Sequence, residues 1–177
     1  METTAGLADV AVPVPIGRWL VDPGSSTASF AVRNFGLHTV RGIVPIREAT
    51  AVVAEGHRVT AVHAVLNLAG IDTANTRRDK DLRAPRLLDT GQFPELVFDA
   101  TDSAPTTGGW RLNGTLTAHG VTIPITLDGV LAAGPTNGGL TIAASTRLDR
   151  RDLAIKAPSM LIGHEVLVEI NARFRMS

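Results

Sequence analysis

The histidines are the side chains with the strongest metal-binding chemistry in this sequence, but their spacing argues against a shared site. A zinc site needs three or four ligands that converge on one ion. His57 and His63 share strand parity, yet six residues separate them, which is roughly 20 Å along an extended chain. His38, His119 and His164 all adjoin predicted turns. The chain also has no cysteine, so we predict no metal site and no disulfide.

Three carboxylates, Asp79, Asp81 and Asp89, could form an acid/base pair of the kind that hydrolases use. Each has a basic residue close in sequence, so ion pairs that hold this segment in place are the simpler interpretation. Residues 149–152 (DRRD) are interpreted in the same way, as a polar rim. The chain lacks a Gly-x-Ser-x-Gly nucleophile motif and a glycine-rich phosphate loop. We therefore predict no catalytic residue and a protein that is not an enzyme.

Composition excludes other classes of function. Seventeen basic and 17 acidic residues balance, and aromatic residues make up 4% of the chain, so a nucleic-acid partner is not expected. Residues 1–16 lack a basic start, and two prolines interrupt their apolar run. From this we expect a flexible N-terminal extension over residues 1–16, a single domain over residues 17–177, no transmembrane segment and a cytoplasmic location.

The elements that would position any site are short strands with alternating apolar residues. The clearest is the last strand, where Val166, Val168, Ile170, Ala172 and Phe174 share one face. About eight such strands follow one another at hairpin spacing, which fits either a β-sandwich or an antiparallel barrel. Many inner positions hold alanine, and this favours a hollow barrel with an aliphatic interior.

One connection, residues 71–98, is far longer than a hairpin loop and carries spaced leucines. Long connections in compact domains usually serve as lids or binding loops. Thr73 and Asn75 are suitable residues for starting a helix. We predict a short helical segment near residues 72–92 that caps the barrel, pinned by Arg78 and Asp79.

Ordered fragments along the chain resemble the YceI-like family of lipocalin-like, polyisoprenoid-binding proteins. The matching fragments include Trp19 with Asp22-Pro23, Phe30-x-Val32, Val40-x-Gly42, Ile71-x-Thr73, Arg78-Asp79, Phe93-Pro94, Gly114-x-Leu116-Thr117, Arg150-x-Asp152 and Ile162-Gly163. The resemblance implies an extended eight-stranded antiparallel β-barrel that holds an isoprenoid or other lipid-like chain. It also implies that a homodimer is common.

The function predicted from these observations is non-enzymatic binding of a long-chain lipid-like amphiphile, for transport or storage. No cofactor is predicted apart from a bound isoprenoid or fatty-acyl-type lipid. Two alternatives stay open: a small-substrate isomerase or hydrolase in the same cavity, and a structural or partner-binding barrel with a filled core. Strand parity and the lid predict the ligand-binding residues Phe30, Val32, Leu66, Leu82, Leu87, Leu88, Phe93, Leu112, Leu116, Ile123, Ile125, Leu127, Ile142, Val168, Ile170 and Phe174.

Overall fold

The computed structural model describes residues 13–34, 38–157 and 162–177. These residues form ten antiparallel strands and one α-helix. The strands are β1 (Gly17–Val21), β2 (Thr27–Asn34), β3 (His38–Val44), β4 (Ile46–Ala54), β5 (Arg58–Asn67), β6 (Glu95–Thr106), β7 (Gly109–Ala118), β8 (Val121–Thr136), β9 (Gly139–Asp149) and β10 (Ile162–Met176). The helix, α1 (Thr76–Arg83), lies between β5 and β6.

The ten strands occupy eight positions in a closed barrel. β10 pairs with β2 over residues 166–171 and with β1 over residues 174–176, so β1 and β2 lie end to end along one edge of β10. β3 and β4 are likewise end to end, separated by Pro45, because β3 pairs with β2 and β4 with β1. The remaining strands complete the ring in sequence order. The eight-stranded antiparallel barrel predicted from the sequence is confirmed.

The predicted helical segment in the long connection is also confirmed. Asn75 caps α1, because its side-chain oxygen accepts a hydrogen bond of 3.0 Å from the Arg78 backbone N–H. This bond satisfies one of the amide groups that the first turn leaves without a partner. Among the described residues, no helix has both the length and the apolar character to cross a membrane.

The buried apolar side chains form two clusters, one toward each end of the barrel. The larger cluster lies at the end covered by α1 and includes Leu68, Ile71, Leu116 and Leu153. We call this the helix end. The smaller cluster contains Val14, Trp19, Val53, Trp110 and Leu140 and lies at the opposite end. We call this the N-terminal end, because residues 13–16 close it.

Candidate ligand-binding cavity

An apolar cavity of about 170 Å³ lies inside the barrel between the two clusters. Its walls come from strands all around the ring and consist of aliphatic side chains, four aromatic rings, Gly129 and Thr146. The Thr146 hydroxyl donates to the Thr126 carbonyl at 2.7 Å, so it is already satisfied. The described lining contains no titratable side chain. Such a space suits a neutral hydrocarbon group and offers nothing to balance a charge.

Nine of the sixteen residues predicted to bind the ligand line this cavity. They are Leu66, Leu112, Leu116, Ile125, Leu127, Ile142, Val168, Ile170 and Phe174. All lie on strands whose inward face follows the alternation of the sequence. Their contact with a ligand stays a prediction, but their place on the cavity wall is a feature of the fold.

The other seven predicted residues lie outside the cavity wall. Phe30, Leu82, Leu88 and Ile123 pack on the larger cluster at the helix end. Phe93 packs edge-on against the His119 ring, with 5.3 Å between the ring centroids. Val32 and Leu87 are half-buried. The lid leucines and Phe30 thus thicken the closure at the helix end, and the cavity begins beneath them.

Sequence reasoning missed the β4 side of the cavity. Ile46, Ala49, Ala51 and Val53 all line it. The step from Ile46 to Ala49 breaks the alternation, because the ladder between β4 and β5 shifts register between Ile46 and Glu48. A bulge of this kind resets which residues face inward. Ala49, Ala51 and Val53 alternate regularly after it, so the pattern grouped these three on one face but did not show that this face points inward.

The missed lining residues at the N-terminal end are Val14, Trp19, Trp110 and Leu140. Val14 falls in the segment that we expected to be a flexible extension, yet only 3% of its surface is exposed. Residues 1–12 of that segment lie outside the described part of the chain. The packed region thus begins before Gly17, and the apolar residues around the two prolines were the available signal.

The lid segment is held by hydrogen bonds that converge on Thr73. Asp79, which is 6% exposed, accepts bonds from the Thr73 backbone N–H at 3.0 Å and from its hydroxyl at 2.5 Å. Arg78 donates to the Thr73 hydroxyl at 2.8 Å and to its carbonyl at 2.9 Å. The predicted pinning residues therefore fix the turn that precedes α1. The adjoining Asp72 joins that turn to the barrel by pairing with Ile43.

Arg150 also stabilises the helix end, through hydrogen bonds to backbone carbonyls. We interpreted residues 149–152 as an exposed rim, but Arg150 is only 5% exposed. Its guanidinium donates to four backbone carbonyls, those of Ile155, Ala157, Ile162 and Gly163, at 2.7 to 3.1 Å. The rim interpretation is wrong for Arg150, because this side chain is buried. Its planar cation has five donors, so backbone carbonyls alone can satisfy it.

The neighbouring charges do behave as a rim. Arg151 pairs with Asp149 at 2.6 Å. Hydrogen bonds from Arg151 hold the pKa of the Asp149 carboxyl well below its usual range. Among the described charged residues of the lid (residues 72–92), one ion pair forms, between Arg86 and Asp81 at 3.4 Å. Both of these side chains are exposed. Among those residues, no group of three or more His, Asp or Glu side chains could hold a metal ion.

The N-terminal end is closed by a short segment with few polar ties. The His57 ring nitrogen Nδ1 lies 2.8 Å from the Val14 carbonyl oxygen. The Trp19 indole donates to the Pro15 carbonyl at 3.0 Å. The Trp110 indole nitrogen, by contrast, is buried without a hydrogen-bond partner. This end therefore depends mainly on apolar packing.

A second concavity lies on the outer wall across β7 to β10, open and about 930 Å³ in volume. Charged and polar side chains border it, including Arg111 and Asp128, which pair at 2.9 Å. The pair raises the pKa of Arg111, chiefly through the hydrogen bond. Although larger, this surface is open, polar and ion-paired, so the apolar cavity inside the barrel is the better candidate site for an apolar ligand.

Comparison with known sequences places the chain in a defined group. A family model described as the YceI-like domain matches residues 19–174. The UPF0312 protein YE1254 of Yersinia enterocolitica is 39% identical over 70 residues, which cover 40% of this chain and 36% of that protein. A UPF0312 protein of Yersinia pestis is 37% identical over the same shares. The matched region thus spans little more than a third of these curated relatives.

Solved structures share the fold at low sequence identity. BcnA of Burkholderia cenocepacia has a TM-score of 0.78 at 14% identity, covering 86% of this chain and 98% of that one. A polyisoprenoid binding domain from Saccharophagus degradans has a TM-score of 0.66 at 12% identity, covering 90% and 98%. The YceI protein of Campylobacter jejuni has a TM-score of 0.69 at 16% identity, covering 80% and 87%. These similarities establish the barrel as a shared architecture.

Proposed function

Because the chain belongs to the YceI-like domain family, we propose that it binds the apolar chain of an isoprenoid or other lipid-like amphiphile inside its barrel, for transport or storage. The observation that carries this proposal is the cavity inside the barrel with its uncharged apolar wall. The name of the Saccharophagus degradans neighbour, a polyisoprenoid binding domain, supports the same ligand class. A homodimer and a cytoplasmic location stay predictions from the sequence.

The size of the cavity limits what enters it. At about 170 Å³, it is close to the roughly 150 Å³ of an engineered apolar cavity that stays dry and binds benzene. It is smaller than the roughly 300 to 1,000 Å³ of typical small-molecule sites. A slender chain end therefore fits the volume present, and a longer chain requires a larger cavity. Each buried Å² of chain contributes about 25 cal/mol.

Both alternatives are less well supported. An isomerase or hydrolase needs a proton donor or acceptor within hydrogen-bond reach of its substrate, and the described cavity wall offers no titratable side chain. A filled-core barrel is disfavoured by the cavity volume itself. We therefore propose a binding protein without catalytic activity.

The first experiment is direct detection of a bound or exchangeable lipid. We expect organic extraction of natively purified protein, followed by mass spectrometry, to release a lipid-like molecule. We also expect stripped protein to take up a prenylated quinone or a fatty-acyl probe. Protein that carries nothing and takes up neither probe would refute the proposed function.

Two neighbouring substitutions locate the binding site. Ala144 lines the cavity, whereas the next residue, Ser145, is exposed on the outer wall. We expect Ala144→Trp to fill the cavity and reduce probe uptake at least tenfold, and Ser145→Trp to leave uptake unchanged. Circular dichroism of both variants checks that the barrel is intact. Equal uptake by two folded variants would place binding elsewhere.

A further inference from the structure

Trp110 carries the one buried side-chain polar atom, among the described residues, that has no hydrogen-bond partner. The residue is 6% exposed and lies on the cavity wall. Buried donors are normally paired, because an unpaired one loses its hydrogen bond to water and gains nothing in return. An indole N–H can only donate. The missing partner is therefore an acceptor.

Trp19 provides an internal comparison at the same end of the barrel. Both tryptophans belong to the smaller apolar cluster and line the same cavity. The Trp19 indole donates to the Pro15 carbonyl at 3.0 Å, so the fold satisfies one indole and leaves the other unpaired. The unpaired donor is specific to Trp110 and is not a general property of this cluster.

The residues paired across the sheet from Trp110 are small. Trp110 pairs with Gly129 on β8, and Gly129 pairs with Ala144 on β9. A Cβ atom added to Gly129 would lie 3.6 Å from the Ile142 side chain, 3.8 Å from the Ala144 side chain and 3.9 Å from the Ala143 carbonyl oxygen. These are ordinary contact distances, so this part of the wall is already packed, and a ligand atom reaches the indole only when neighbouring atoms move.

We propose that the Trp110 indole N–H donates a hydrogen bond to a neutral oxygen of the ligand, held at the N-terminal end of the barrel. The ligand class is an apolar chain that bears one carbonyl-type oxygen, such as a ketone, an ester or a quinone. A carboxylate is excluded, because the described cavity wall contains no cation to pair with it. This inference rests on the proposed function and adds the polar group that the ligand must carry.

The closing segment of this end must yield for the bond to form. The Trp110 nitrogen is covered by protein atoms, and Val14 belongs to the same cluster. Residues 13–16 are tied by the two hydrogen bonds to His57 and Trp19. When a ligand oxygen reaches Trp110, its hydrogen bond with the indole replaces contacts that residues 13–16 make in the closed barrel.

The test uses two slender probes, a medium-chain methyl ketone and the straight alkane with the same number of heavy atoms. In ¹⁵N-labelled protein the two tryptophans give two indole N–H signals, which triple-resonance spectra assign. We expect the ketone to move the Trp110 proton downfield and the alkane to leave it nearly unchanged. The Trp19 signal, already hydrogen-bonded, serves as the control. Equal responses of Trp110 to both bound probes would overturn the inference.

Affinity provides the second measurement. We expect wild-type protein to prefer the ketone over the alkane, and Trp110→Phe to reduce that preference about tenfold, the effect of one hydrogen bond of ordinary strength. An unchanged preference in the variant would overturn this inference but leave the proposed function intact. If neither probe binds wild-type protein, the proposed function fails and this inference fails with it.

Discussion

The two ends of the barrel are closed by different kinds of contact. At the helix end, buried polar groups hold the covering segments by hydrogen bonds to backbone atoms, as Arg150 and Asp79 do. At the N-terminal end, four residues cover the cavity through apolar packing and two hydrogen bonds. Hydrogen bonds to buried polar groups thus close the helix end, whereas apolar packing closes the N-terminal end.

This difference indicates where the barrel opens. Opening the helix end would leave Arg150 or Asp79 without partners, and breaking a buried charge-assisted bond costs several kcal/mol. Displacing residues 13–16 exposes little more than Val14 and part of the tryptophan cluster. Segments with few buried contacts open at lower free energy than the global unfolding reaction. We therefore expect ligand exchange at the N-terminal end.

The largest effect is expected for Arg150→Met at the helix end. Removing the guanidinium takes a buried donor away from four half-buried carbonyls, and we expect the free energy of unfolding to fall by about 3 kcal/mol. Urea denaturation followed by tryptophan fluorescence measures this. Arg151→Met is the matched control, since it breaks only an exposed pair and should cost less than about 1 kcal/mol. An equal fall in the free energy of unfolding in both variants would show that Arg150 stabilises the helix end no more than the exposed Arg151 does.

Asp79→Ala tests the second buried polar side chain that holds the helix end. The substitution leaves the Thr73 amide and hydroxyl without their buried acceptor, so we expect a loss of about 2 kcal/mol. Hydrogen exchange of residues 72–83 should accelerate at the same time. Asp81→Ala removes an exposed carboxylate from the same helix and should cost about 0.5 kcal/mol or less. An unchanged exchange rate in Asp79→Ala would mean that the lid is held without the Asp79 carboxylate.

The smallest stability effect is expected at the N-terminal end, where Val14→Ala should lower the free energy of unfolding by about 1 kcal/mol. Its clearer signature is kinetic. Release of a bound prenylated quinone, measured by stopped-flow transfer to acceptor vesicles, should become severalfold faster. Ile16→Ala, at a side chain that is 52% exposed, should change neither quantity. Faster release in Asp79→Ala but not in Val14→Ala would move the opening to the helix end.

Much of the architecture was readable from the sequence. Strict alternation on β8 and β10 identified inward residues such as Ile125 and Ile170, and the length of residues 71–98 indicated a lid. These signals are local, because side chains alternate with a period of two along a strand. Nine cavity residues followed from the alternation, and the short helix followed from the long connection with its capping residues. Alternation alone fitted either a sandwich or a barrel, and the eight-stranded barrel was implied by the resemblance to the YceI-like family.

The rest depended on contacts between distant segments. Arg150 stands between other charged residues, and nothing local distinguishes it from Arg151. Only the fold brings the carbonyls of Ile155, Ala157, Ile162 and Gly163 around it. Val14 and Trp110 are likewise joined through the barrel end, far apart in sequence. The lid leucines were expected at the cavity, but the larger cluster keeps Leu82 and Leu88 above it.

The paired interruptions of the barrel wall have a mechanical consequence. β1 and β2 break at residues 22–26, and beside them β3 and β4 break at Pro45. Between the pairs Leu20↔Thr50 and Ala28↔Val44, the described residues of these two ring positions form no ladder bond. Val21, Ile46 and Ala49 from this gap line the cavity. Side chains rather than ladder hydrogen bonds therefore close the wall at this gap, so a local displacement there would break none of the ladders that hold the ring together.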